Sequence, residues 1–172
     1  MAYIEWIELE TFFSGYLLVY AVIHLAASFQ PFTSFLKSKV LPKLSIAYAI
    51  TGTLYLGLQL KNGYPDYHIT YLIADIRAPY LKIWGLLSIL LWIPALHKKA
   101  IFSILHSMVF FILLVKSFYV HRFSSAADND MAANDMKIYS VSILINLASL
   151  ILATLFSLLF SRFKDQNRSP HS

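Results

Sequence analysis

Five stretches of the chain contain no Asp, Glu, Lys or Arg: residues 11–36, 44–60, 83–97, 100–115 and 138–161. Hydrocarbon solvates charge poorly, and a helix needs about 20 residues to cross it, so a bilayer selects charge-free runs of this length. The pattern predicts an all-α, polytopic transmembrane helical bundle. Its five spans are placed at about 12–29, 44–60, 80–96, 100–120 and 138–161. The second and third are short, which leaves a four-span count, with one of them interfacial, as the alternative. At 172 residues there is no room for a separate soluble domain, so a single domain is expected.

Composition agrees: 58% of residues are hydrophobic and 13% charged, against roughly 45–50% and 25% in soluble domains. The net charge of +5 does not point to nucleic acid, because the basic residues sit at span ends, where they set orientation and meet anionic lipid. Cys is absent, which excludes a disulfide framework, a thiolate metal site and a dithiol relay. The N-terminus carries Glu5, Glu8 and Glu10 in place of the positive region of a signal peptide, so the first apolar stretch is expected to remain as a helix.

With five spans, one side collects Lys37, Lys39, Lys43, Lys98, Lys99, Arg162, Lys164 and Arg168, eight cations in all. The other side holds six cations and eight of the nine acidic residues. The bias predicts an external N-terminus and a cytoplasmic C-terminus, as in a bacterial inner membrane. Between spans two and three, Ile69, Leu72, Ile73 and Ile76 form an apolar stripe with His68, Asp75 and Arg77 off it, which fits an interfacial helix. Residues 124–136 are polar and read as a flexible external loop; the tail after Arg162 reads as disordered.

Small residues let helices approach inside lipid. Two such ridges stand out: Ser45, Ala49, Thr53 and Gly57 in span two, and Ser142, Asn146, Ser149, Ala153 and Ser157 in span five. Both read as packing seams, or as the lining of a cavity or subunit contact.

His24 and His106 are the leading chemical candidates. Counting helical rise, both lie roughly 8–9 Å below the same surface. Two imidazoles at matched depth can clamp a b-type haem, serve a quinone or a proton, or hydrogen-bond a neighbouring helix. Ser103 and Ser107 share the face of His106; Tyr20, Ala21 and Ala27 share that of His24. A second set, His121, Arg122, His68, Asp66, Asp75 and Arg77, gathers at the external surface with no metal-ligand spacing and reads as solvated interface charge. Lys116, one turn inside a span end, can snorkel to the surface. No phosphate loop, nucleophile elbow or zinc-protease helix is present.

Gly63-Tyr64-Pro65-Asp66-Tyr67, followed by Ile69-Thr70-Tyr71-Leu72, resembles the GYP-x-Y opening of the second helix in DoxX-like membrane proteins. Lys82-Ile83-Trp84-Gly85 running to Pro94, the basic turn Leu96-His97-Lys98-Lys99, and a following span that ends in His121 extend the likeness over about residues 44–121. The chain departs from that family in an extra N-terminal span, in Phe110, Phe111 and Leu113 where small residues are usual, and in Arg122-Phe123 after the His. The resemblance implies a small helical bundle. Some members are subunits of quinone-linked oxidoreductases and others assist maturation of redox enzymes. It makes Tyr64, Lys82 and His121 residues to test.

The first expectation is therefore an accessory or structural subunit of a membrane-bound, quinone-linked redox system, not an enzyme on its own, working with partner subunits or as a homo-oligomer. The alternatives are a b-haem electron carrier using His24 and His106, and a small transporter or scaffold without redox role.

Overall fold

The computed structural model describes residues 2–29, 33–62, 79–123 and 129–166, which are helical almost throughout, with no strand among them. In chain order the helices are α1 (Ala2–Phe13), α2 (Tyr16–Ala26), α3 (Leu44–Asn62), α4 (Pro79–Leu87), α5 (Pro94–His97), α6 (Ala100–Phe123) and α7 (Asn129–Gln166). Short irregular turns over 33–43 lead into α3, and a 3₁₀ segment, Ser88–Trp92, prolongs α4. Among the described residues, three helical runs are long and apolar enough to cross a membrane: Trp6–Ala26, Ala100–Phe123 and Asp130–Ser161.

The first run begins earlier than predicted, so Glu8 and Glu10 lie inside the helical rod rather than before it. Its two halves, α1 and α2, meet at Ser14-Gly15. There the Gly15 N–H turns from its own helix to the Ser142 hydroxyl, 2.8 Å away. The carbonyls of Phe12 and Phe13 accept from Asn146 Nδ2 (2.9 Å) and Ser107 Oγ (2.8 Å). A break at membrane depth survives only where neighbouring helices satisfy the freed backbone groups, as these three side chains do. Position 15 must also be glycine, because a Cβ there would stand 2.5 Å from the backbone nitrogen of Ile143.

α7 is one continuous helix from Asn129, so residues 129–136 are helical and not the flexible loop expected of them. Asp130 in its first turn suits the helix dipole, and Ala132, Ala133 and the buried Asp135 extend it inward. At 1.5 Å per residue, its 38 residues span about 57 Å, beyond the ~30 Å of hydrocarbon.

α3 coincides in extent with the predicted second span, but it carries Tyr48, Thr51, Thr53, Tyr55 and Gln59, is among the most buried of the helices, and is not one of the three runs apolar enough to cross a membrane. The third apolar stretch is interrupted. Ser88 Oγ bonds the Gly85 carbonyl (2.6 Å), the chain tightens to 3₁₀, and Ile93 is extended (ψ 123°) before Pro94. The residue before proline disfavours helix, and Pro94 then opens α5. The apolar helical piece is thus only Tyr80–Trp92. The predicted interfacial helix at 67–77 lies outside the described residues.

Pairing fixes the directions. Gln59 and Asn62, at the end of α3, bond Glu8 near the start of α1, whereas Ser45, at the start of α3, bonds Ser103 in the first turn of α6. α3 therefore runs opposite to α1. One end of the bundle, here the carboxylate end, gathers Glu8, Glu10, Gln59, His121 and Asp135. The other, the basic end, carries the Lys37–Lys43 turns and Lys98-Lys99.

The centre is aromatic. Phe13 is fully buried, with ring centroids 5.0 Å from Phe110, 5.2 Å from Tyr55, 5.4 Å from His106 and 5.7 Å from Tyr48. Both small-residue ridges pack only in part. Ser45 and Ala49 are buried, but Thr53 and Gly57 are exposed; the contact face of α3 is rotated onto Ser45, Tyr48, Thr51, Gly52 and Tyr55. Gly52 backs onto Ser88, leaving no room for a side chain. In α7, Ser142, Asn146, Ser149 and Ala153 are buried and Ser157 is not.

Candidate functional site

Two polar centres lie within the bundle, both using α6. The inner one is built on His106, which is 7% exposed. Its Nε2 is 2.5 Å from the Trp84 carbonyl oxygen, and its Nδ1 is 2.8 Å from the Tyr48 hydroxyl. A carbonyl only accepts, so Nε2 carries the proton, and in the neutral ring Nδ1 accepts from Tyr48. The Trp84 ring stacks on the imidazole, 5.3 Å between centroids and 7° between planes, while its indole N–H donates to the His106 carbonyl (3.3 Å). One residue thus ties α3, α4 and α6 together.

Around it runs a seam of hydroxyls. Tyr16 meets Ser103 (2.9 Å), and Ser103 meets Ser45 (3.2 Å). Thr51 donates to Ser149 (3.0 Å), with Asn146 Oδ1 at 3.4 Å. Every one of these bonds joins one helix to another.

The second centre is at the carboxylate end. His121 Nδ1–H donates to Asp135 Oδ2 at 2.8 Å; the imidazole is 25% exposed and the carboxylate 5%. Ser117 Oγ stands 3.4 Å from the same oxygen. Glu10, 2% exposed, accepts the Trp6 indole N–H at 2.6 Å and lies within electrostatic reach of Asp135 and His121. Glu8 accepts from Gln59 (3.0 Å) and Asn62 (3.2 Å). Lys82 is buried one turn before Gly85, a position where a side chain would strike Leu9. Among the described residues, no group of three or more acidic or histidine side chains is arranged for a metal ion.

Among the described residues, no hydrogen bond or ring contact joins the two leading sequence candidates. His24 is exposed on α2, stacked on Tyr20 at 6.0 Å. His106 is interior, with both ring nitrogens engaged. An axial iron bond from His106 would need one of those hydrogen bonds to break, so this arrangement does not fit a haem clamped by the pair. His121 is placed in the second centre; Arg122 is exposed. Tyr64, His68, Asp75 and Arg77 lie outside the described residues.

Glu10 and Asp135 were missed because they sit in segments read as extramembrane. A signal for each was present. Asp135, Ser142 and Ser149 are seven residues apart, so the buried ridge of α7 extends two turns before Ser142, past residue 138 where the span was expected to begin. Trp6 and Glu10 are four apart, the spacing of helical neighbours.

A cleft of about 210 Å³ opens beside His106 between α4 with its 3₁₀ extension and α6; Trp84, Leu91, Leu96, Phe102 and Leu105 are among its lining.

Compared with known protein families, curated proteins and solved structures, the chain matches none.

Proposed function

We propose that this is a membrane-embedded accessory or structural subunit of a quinone-linked redox system, crossing a bacterial inner membrane five times with its C-terminus in the cytoplasm. The observation that carries the reading is where the buried polar groups go. Tyr48, His106, Ser103, Ser107, Thr51, Asn146 and Ser142 bond helix to helix, which is the use such groups have as interhelical ties in membranes. The outward faces of α2 and α7 meanwhile present Val22, Leu25, Phe156 and Phe160 to their surroundings, where lipid or neighbouring subunits can pack. The five-span count is supported by the opposed directions of α1 and α3 and by the Lys-rich turns at one end. The redox assignment rests on the DoxX-like pattern over 44–121.

Copurification from native membranes in mild detergent tests it. Recovery with quinone-linked oxidoreductase subunits is expected. Recovery alone, or with transport components, contradicts the assignment and favours the transporter or scaffold reading.

A further inference from the structure

We infer that the cleft beside His106 holds one acyl chain of an anionic phospholipid whose phosphate sits at the His97-Lys98-Lys99 turn. The cleft starts at Trp84 and His106, and Leu96 and Phe102 place its far side next to that turn. From Trp84 to Leu91 the helix climbs about 12 Å, room for a length of hydrocarbon chain. Its walls are leucines, Phe102, the Trp84 ring and one imidazole.

Polarity decides the occupant. At the inner end, both nitrogens of His106 are already bonded and the Trp84 indole N–H is directed to a carbonyl, so a headgroup that needs donors finds none free. That disfavours a quinone ring. At the mouth the order reverses. Lys98 and Lys99 are exposed cations, and His97 Nδ1 is buried without a hydrogen-bond partner. Hydrocarbon inside and positive charge at the rim match a lipid with an apolar tail and an anionic head. Basic sites beside membrane helices bind such headgroups. This inference does not rest on the redox assignment; a lone scaffold would bind the same lipid.

Native mass spectrometry on the full chain tests it, after release from nanodiscs of phosphatidylcholine and phosphatidylglycerol. One phosphatidylglycerol is expected to be retained in preference to phosphatidylcholine. Lys98→Gln with Lys99→Gln should lower that preference about thirtyfold, since each of the two cations near a surface contributes on the order of 1 kcal/mol. Both lysines are exposed, so the fold should persist, which the melting temperature checks. Leu105→Trp, at an exposed cleft position, should reduce retention of both lipids. Equal retention of the two lipids overturns the proposal. So does a preference that ignores the lysine substitutions, or retention of a quinone in place of lipid.

Discussion

His106 and His121 lie fifteen residues apart on α6, and their surroundings could hardly differ more. His106 sits among aromatic rings and binds only uncharged partners, a phenol and a backbone carbonyl. His121 sits at the bundle end and binds a buried carboxylate with a second one near it. An imidazole with both nitrogens satisfied by fixed neutral groups is a crosslink. An imidazole paired with a carboxylate and partly open to solvent is a charge-bearing contact at the rim of the bundle. The difference teaches that depth in the membrane does not by itself mark a chemical site; what the ring touches does.

Removing each histidine should separate these roles. His106→Ala deletes two hydrogen bonds and the Trp84 stack, and takes the imidazole away from a buried phenol and a carbonyl. A loss of about 3–4 kcal/mol is expected, read as reversible unfolding in mixed micelles. A loss under about 1 kcal/mol would mean the ring is not the crosslink described.

His121→Ala strands a nearly buried carboxylate but keeps some solvent access, so about 2 kcal/mol is expected. Asp135→Asn should rescue part of that loss in the double variant. Additive effects in the cycle would show that the pair does not interact. Tyr48→Phe removes a single bond to His106 and should cost about 1–1.5 kcal/mol. His24→Ala, on an exposed face, should change stability by less than about 0.5 kcal/mol. It should also leave the dithionite-reduced spectrum unchanged. A Soret band lost with His24 would restore the haem reading.

Much of the helical layout was legible in the absence of charge. α6, with Ser103, His106 and Ser107 on one buried face, covers the charge-free run predicted at about 100–120. The break near Pro94 follows from backbone sterics. The ends were less legible, because a charge is a poor marker of a helix boundary when another helix buries it. Glu10 and Asp135 look extramembrane in sequence, yet Trp6 and His121 let them be enclosed. The tilt of the α3 face onto Tyr48 and Gly52 was hidden for a related reason. Ridge spacing gives a period but not which of two neighbouring stripes meets the core. The carbonyl partner of His106 was unreadable too, since a backbone carbonyl leaves no mark in sequence.

Nitrogen-15 spectra of histidine-labelled protein test the contrast most directly. The acceptors demand opposite tautomers: a proton on Nε2 of His106, facing a carbonyl, and one on Nδ1 of His121, facing a carboxylate. Finding both protons there supports the account. A bare Nε2 on His106, or a bare Nδ1 on His121, contradicts it.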